Sequence, residues 1–487
     1  MDSLLRKSGS ELARLIREGE CRALEVVERH IERIERVNPR LNAVVRERFE
    51  AARQEAVDAD TLGEMAPAAD LPPFHGVPCT IKESCALRGM PNSSGLVSRA
   101  GIVAEEDAPP VARLRAAGAI PLGVTNTSEI TAWPGANNRV YGRTANAYDL
   151  DYQPGGSSGG EGAIIGAGGS PFGLGTDIGG SIRVPSFANG VFGHKPSGGL
   201  VPGTGQYPTY SGRLQRFNTT GPLARRAEDL MPLLRILAGP DGVDQGCTAI
   251  QLGDPASVKL ESIRVIVAED NVPRPVDAEL RLAQHNAAFA LARRGARVEM
   301  QSLPRLRRSG EIYLGLMREA GGMPIETALG NGESIPLGRE LARAMVGASP
   351  HMLPVLLLGL FGRLGGLAEK RFARYAEMGR ELEAELGDLL GDDGVLLCPS
   401  ARSTPPRQGR ELAALVNVVF TSLFNVLEMP VTQVPLGLGS RGLPLGVQVA
   451  ATHGNDHLTI AIAMELERLF GGWTPPALFA ESQALLP

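Results

Sequence analysis

Cysteine is scarce in this 487-residue chain, and the scarcity narrows the reading first. Five cysteines (Cys21, Cys79, Cys85, Cys247, Cys398) form an odd set with no CxxC pair. That excludes a disulfide-framed secreted domain and a zinc ribbon, and it points to a reducing, cytoplasmic setting. Basic excess is missing too: a net charge of −5 argues against nucleic acid as the partner. No run approaches the roughly 20 apolar residues of a membrane span. The nearest, Met352 to Gly362, is short and is followed by Arg363. The first residues, Met1 to Ile16, are charged and amphipathic rather than a signal peptide. There is no HExxH and no Walker lysine motif, so neither a metal nor a cofactor is called for. No internal repeat and no clear linker divides the chain. Its length alone would permit two or three domains, but the reading is one compact α/β domain.

What is abundant is glycine, concentrated in Gln153–Pro196. This stretch carries two serine-bearing clusters, Gly155-Gly156-Ser157-Ser158-Gly159-Gly160 and Gly179-Gly180-Ser181. Glycine at such density costs backbone entropy, so tight turns or close backbone approach are expected in return. Serines on glycine loops suggest nucleophile chemistry beside backbone N–H donors.

Around it, apolar patterning predicts alternating strands and helices. Ser10 is expected to cap a first helix. A second apolar stripe, Leu24 to Val37, is expected to stop at Asn38-Pro39, with another helix from Leu41 to Val57 and a loop over 58–73. Strands are expected at Val77–Ile81, Ala119–Val124, Gly173–Gly175, Val191–Lys195, Ile263–Ala268, Ala296–Leu303, Val395–Cys398, Pro430–Pro435 and Leu443–Ala450. Helices are expected at Pro109–Gly118, Gly162–Gly169, Asp277–Arg294, Leu412–Leu427 and Leu458–Phe470, with 310–393 mostly helical around an apolar hinge near Pro350–Gly362. The alternation argues for an α/β sheet covered on both faces.

A hydroxyl nucleophile needs a base. Only His194, in Phe-Gly-His-Lys, lies near the glycine clusters, and the sequence offers it no neighbouring acid. His453 and His457 stand four apart, but Gly454-Asn455 between them favours a turn and helix cap over a metal-binding face. The other candidate is Lys82, at the end of an apolar strand, where burial would favour the neutral amine. An ion pair with Glu83 is the alternative reading of that lysine.

The set GVPCTIKES (76–84), GGSSGGEGA (155–163) and GLGTDIGGSIRVPS (173–186) resembles the amidase signature family of serine hydrolases, which use a Ser–cisSer–Lys triad. The likeness extends to ELARLIREGE and ERIERVNPRLNAV near the start and to MPVTQVPLGLGSRGLPLGVQV and NDHLTIAIAMELERLFGGW near the end. GMPNSSG, the glutamate of GGSSGGEG, TDIGGSIR and the closing FGGW make it most similar to the fatty-acid amide hydrolase branch. The resemblance implies an amidase-signature fold, a mixed central sheet covered by helices on both faces. It implies one domain over 1–487: a helical layer at 1–57, a signature core at 74–235, and 236–487 completing sheet and cover.

It also implies roles. Ser181 would be the nucleophile, Ser157 beside a cis peptide the relay, and Lys82 the base that later returns the proton to the leaving nitrogen. The N–H groups of Ile178, Gly179, Gly180 and Ser181 would form the oxyanion hole. Gly155, Gly156, Ser158, Thr176, Asp177 and Arg183 would hold the loop, with a structural ion pair the equal reading of Asp177 and Arg183. Thr131 and Trp133 are placed in the acyl pocket, core burial being the equal alternative for Trp133.

The expected reaction is hydrolysis of a small-molecule amide, and also of esters, carbamates or aryl amides, through an acyl-enzyme without metal or cofactor. Homodimers are common among relatives. The segment 350–364 is left open as lid, membrane-docking patch or core. Two other functions compete: the amidase subunit of an aminoacyl-tRNA amidotransferase, and a catalytically silent binding protein on the same fold. Against the first stand the missing basic excess and the hydrolase-like GGSSGGEG and FGGW features, and the second sits poorly with Lys82, Ser157 and Ser181 all being present.

Overall fold

The computed structural model describes residues 2–269, 275–364 and 369–480. Thirteen strands run through them: β1 (Val44–Glu47), β2 (Pro78–Lys82), β3 (Ile120–Thr125), β4 (Asn137–Asn138), β5 (Gly142–Arg143), β6 (Phe172–Asp177), β7 (Phe192–Lys195), β8 (Thr219–Ala224), β9 (Arg264–Glu269), β10 (Arg297–Ser302), β11 (Gly394–Pro399), β12 (Val431–Leu438) and β13 (Pro444–Ala450). Eleven form one sheet in the order β1-β3-β2-β6-β8-β7-β12-β13-β11-β9-β10, and β4 and β5 pair separately. The β3/β2, β2/β6, β11/β9 and β9/β10 pairs are parallel and the others antiparallel, so the sheet is mixed.

Alternation along the strands shows why both faces are covered. Val265 and Val267 of β9, and Val395 and Leu397 of β11, join the cluster built with the helices Ala278–Arg293 and Asp456–Phe470. Their neighbours Ile266 and Leu396 face the opposite way, toward Ile312 and Leu316 of helix Ser309–Ala320 and Leu382 and Leu386 of helix Glu369–Leu390. Successive strand residues point to opposite faces, so a strand that is apolar throughout needs a helix on each side. β2, β3 and β6 are buried along their whole length for the same reason.

Several boundaries differ from the sequence expectation. Ser8, not Ser10, caps helix Gly9–Arg17, accepting from the Glu11 N–H. Helix Ala23–Leu41 runs through Pro39 and turns only at Asn42, which adopts a left-handed conformation with φ 51°. Asn38 then ties the turn to β1, accepting from the N–H of Ala43 and Val44. The helix expected over 41–57 and the loop after it are instead the edge strand β1 and a helix, Phe49–Met65, because Val44 to Glu47 pair with β3. β8 and the helix Leu230–Leu237 had no counterpart in the sequence reading.

The helix expected at 412–427 is broken into Glu411–Leu415, a 3-10 turn Val418–Phe420 and Leu423–Val426. Thr421 explains the break, since its carbonyl accepts from Arg183 and its hydroxyl donates to the Gly179 carbonyl. An uninterrupted helix would keep that carbonyl for itself.

The apolar segment near 350 is a helix, Leu353–Leu364, and not a hinge. Val355 and Leu356 are buried with Leu96, Ile130, Trp133 and Tyr207, so one face is core. Phe361 is 68% exposed, so the other face is open. Among the described residues, no helix is long and apolar enough to cross a membrane.

The Asp60 carboxylate, arriving from helix Phe49–Met65, accepts from the N–H groups of Ala23 and Leu24 and closes the start of helix Ala23–Leu41. Asp60→Ala is expected to lower stability by about 1 kcal/mol, read as a lower urea midpoint at unchanged slope. An unmoved midpoint would show that the cap is dispensable.

Candidate active site

β2 delivers Lys82 to the middle of the molecule with no exposed surface. Its Nζ donates to two hydroxyls, Ser157 Oγ and Thr176 Oγ1, each at 2.7 Å. The ion pair with Glu83, which lies in the turn just after β2, does not form. The Glu83 carboxylate accepts instead from the N–H and hydroxyl of Ser93, the N–H of Ser94 and the hydroxyl of Tyr141. Burial pushes the Lys82 pKa down to about 7, against the opposing pull of Cys85, Asp177 and Glu161. An amine in that range is half deprotonated near neutral pH and can both take and return a proton.

Ser157 stands on the glycine turn before helix Gly159–Gly166, and the Gly156–Ser157 peptide is cis. Gly156 has to be glycine, since a Cβ there would overlap the backbone of Gly135. From the same turn, the Ser158 N–H donates to the Ser181 carbonyl at 3.2 Å. The Ser158 hydroxyl packs against the Thr176 backbone, donating to its carbonyl at 3.3 Å. The turn carrying Ser157 and the turn carrying Ser181 are thereby laced together, with Thr176 and Lys82 beneath them. Ser181 is the partly accessible member at 8% exposure, whereas Ser157 has none.

Asp177 shapes the second turn. Its carboxylate accepts from the N–H of Gly180 at 2.7 Å and of Ile182 at 3.0 Å. It also receives Arg183 Nε at 3.0 Å and Nη2 at 2.9 Å. Burial by itself would raise the Asp177 pKa, but Arg183 and hydrogen bonds from Arg183 and Asn425 outweigh it and hold the carboxyl well below the usual range. Gly180 has φ +124°, and a Cβ there would overlap the Thr421 hydroxyl, so no other residue fits. Its N–H is committed to Asp177, which removes it from the four donors expected for an oxyanion. Among the described residues, no acceptor takes the N–H of Ile178, Gly179 or Ser181.

Residues far along the chain complete the knot. Arg183 also donates to the Thr421 carbonyl, Gln448 Oε1 and Asn425 Oδ1. Asn425 donates in turn to the Asp177 carbonyl and carboxylate. Sequence reasoning missed Thr421, Asn425 and Gln448, which sit in segments that read as ordinary helix and strand.

His194 is not available as a base. Its Nδ1 meets Thr432 Oγ1 at 2.9 Å and its Nε2 meets Asp456 Oδ1 at 3.0 Å, so both ring nitrogens are taken. The acid absent from its sequence neighbourhood is thus Asp456, 262 residues on. His453 precedes the start of helix Asp456–Phe470 and His457 is its second residue, which fits a turn and cap. Among the described residues, no group of three or more His, Cys, Asp or Glu side chains could hold a metal ion.

Thr131 and Trp133 lie on the loop whose Gly135 backs Gly156, so that loop abuts the Ser157 turn. Ile130 and Thr131 both have positive φ, 45° and 54°. Trp133 is buried in the cluster with Ile130, Leu96, Val355 and Leu356, which gives it a core role.

A buried amine hydrogen-bonded to a serine, beside a turn with unengaged N–H groups, is equipment for acyl transfer. The chain belongs to the amidase family: the family model described as Amidase matches residues 25–460, and the protein is an amide hydrolase. Among its relatives, fatty-acid amide hydrolase 2-B of Danio rerio is 44% identical over 98% of this chain and 91% of its own length. Fatty-acid amide hydrolase 2 of Homo sapiens is 41% identical over 98% and 92%. Among solved structures, 6-aminohexanoate cyclic dimer hydrolase superposes with a TM-score of 0.79 at 28% identity, covering 98% of this chain and 99% of that one.

Asp177→Ala would leave the Arg183 guanidinium buried without its counter-charge. The expected cost is about 3–5 kcal/mol, measured by denaturant unfolding. A loss under 1 kcal/mol would show that Thr421, Gln448 and Asn425 suffice to hold Arg183.

Proposed function

We propose that this amide hydrolase works through an acyl-enzyme on Ser181, with Ser157 as relay and Lys82 as base. The observation that carries the reading is the 2.7 Å hydrogen bond between Lys82 Nζ and Ser157 Oγ at a fully buried site. In the first step Ser181 Oγ bonds to the substrate carbonyl carbon. Its proton passes to Ser157 Oγ while the Ser157 proton passes to Lys82 Nζ. The carbonyl oxygen takes the negative charge and is met by the N–H groups of Ile178, Gly179 and Ser181.

The ammonium then returns its proton through Ser157 to the amide nitrogen. The C–N bond breaks and the amine leaves. Water repeats the sequence on the acyl ester to release the acid. Gly155, Gly156, Ser158 and Thr176 hold the two turns in register, and Asp177 with Arg183 fixes the donor loop.

The substrate we favour is an amide of a long apolar acyl group, in line with the fatty-acid amide hydrolase relatives. Thr131 would border that group, backed by the apolar cluster that holds Trp133 and continues into helix Leu353–Leu364. The open face of this helix, with Leu353 and Phe361 exposed, offers a surface for greasy substrates or a lipid interface to approach. Esters and carbamates present the same carbonyl to Ser181 and would follow the same steps.

A fluorophosphonate probe tests the nucleophile. Intact mass and peptide mapping should find one adduct, on Ser181, absent in Ser181→Ala. Labelling elsewhere, or none in folded protein, would sink the assignment.

Lys82 is tested by pH and by leaving group. Deprotonation makes it competent, so activity should rise as pH passes through about 7. Lys82→Ala should cut amide hydrolysis by on the order of 10²–10⁴-fold, the usual weight of general acid–base catalysis. Activated esters, whose leaving oxygen needs no returned proton, should lose much less. Equal losses on both would count against the relay.

A further inference from the structure

Glu161 lies four residues beyond Ser157, in the first turn of helix Gly159–Gly166, and is fully buried. Nothing in the proposed steps uses it. Its carboxyl meets two hydroxyls: Thr80 Oγ1 donates to Oε2 at 2.7 Å and Thr125 Oγ1 to Oε1 at 2.8 Å. Both threonines are placed by Lys82's own surroundings. Thr80 precedes Lys82 by two residues on β2 and shares its face, and Thr125 is the residue opposite Lys82 in the β2/β3 register. A third strand makes room for the carboxyl. Gly173 of β6 lies opposite Thr80, and a Cβ on it would overlap Glu161 Oε2.

A carboxyl buried with only hydroxyls for partners is costly, and an apolar side chain of similar volume would fill the space more cheaply. The charged group that bears on it is Lys82, which lies beyond direct ion-pair contact. The thiols of Cys79 and Cys85 also feel it, and both stay protonated because burial pushes them up. Asp177, the other acid facing Lys82, is held by Arg183.

We propose that Glu161 is a positioning residue for the amidase reaction, gripping Lys82's own strand through Thr80 and the neighbouring β3 through Thr125 and jointly setting the proton affinity of the lysine. The inference rests on the reading of Lys82 as base. Burial raises the Glu161 carboxyl to about 8, against the hydrogen bonds of the two threonines and the charge of Lys82. Burial also brings Lys82 down to about 7, so the acid and the amine are drawn together from opposite ends of the scale. Burial thus shifts the balance from the ion pair toward the uncharged pair, amine and carboxylic acid. The pair loses its two protons in two macroscopic steps that belong to both groups. Once Glu161 ionises, its charge stabilises the ammonium and makes the lysine slower to give its proton up.

The experiment compares Glu161→Gln with the wild type on one acyl amide and one activated ester, from pH 5.5 to 10, with melting temperature recorded alongside. Glutamine keeps the shape and one acceptor while removing the charge. The amide profile of the wild type should show two proton losses and that of Glu161→Gln only the one that belongs to the lysine. Amide turnover above pH 8 should change by about tenfold relative to ester turnover. Thr125→Val, which removes one hydroxyl that favours the charged carboxylate, should move the second proton loss to higher pH. It stands in should the glutamine variant not fold.

A variant that melts lower but keeps the wild-type profile and amide-to-ester ratio would overturn the inference. Failure of the underlying reading would look different. Lys82→Ala would then retain the wild-type profile and ratio, and Glu161 would have no base to act on.

Discussion

A lysine amine sealed from water with only hydroxyls to bond to is the constraint on which the rest of this architecture depends. Burial disfavours the ammonium, and the ordinary remedy, a carboxylate at contact distance, would restore the charge and end its proposed use as a base. The structure declines that remedy although Glu83 is the next residue. It commits Glu83 instead to two N–H groups and two hydroxyls of Ser93, Ser94 and Tyr141. The carboxyls left on the lysine's side, Asp177 and Glu161, are each occupied elsewhere, by Arg183 and by two threonines. Charge is kept near enough to steady the amine and too far off to claim its proton.

That arrangement needs rigid surroundings, since a lysine has four carbons on which to swing away. The rigidity comes from the sheet. β2 lies between β3 and β6, all three buried throughout, so the Lys82 backbone has no freedom to follow its side chain. The Ser157 turn is pinned by Gly135 against Gly156. The Ser181 turn is pinned by Asp177, which is itself held from the carboxy-terminal half through Thr421, Asn425 and Gln448. Both halves of the chain are therefore required to shape a site whose proposed reacting groups all come from the first half.

This division explains what could be read in advance. Lys82, Ser157 and Ser181 could be singled out because each sits in a short, compositionally unusual segment, a lysine ending an apolar strand and serines among glycines, whereas their proposed roles came from the family resemblance. Most strands were legible for a similar reason, as continuous apolar runs bounded by turn residues. The helix over 412–427 was misread because its periodicity is helical while Thr421 is drawn out of it by Arg183, a partner more than 230 positions away. β1 was misread because pairing with β3 overrides a helix-compatible sequence. Pro39 misled because a proline near the end of a helix can be carried through its last turn. Asp456 could not be matched to His194 from sequence, nor Glu161 to Thr80 and Thr125, since such pairs exist only once strands are in register.

Proton economy gives the last step. The proposed Lys82 must accept a proton from an alcohol and later hand the same proton to an amine nitrogen. A base with the ordinary lysine pKa would be protonated at rest and could not begin. A base of very low proton affinity would begin poorly, because the alcohol holds its proton far more tightly. A value near 7 lies between the two demands. Reaching it by burial alone would leave the ammonium, once formed, without stabilisation in a medium of low polarity. A second titratable group in the same enclosure avoids that extreme: it adds no charge at rest and answers charge when it appears. On this argument the glutamate that follows the glycine–serine cluster belongs to the chemistry of the lysine as much as to the packing of the helix that carries it.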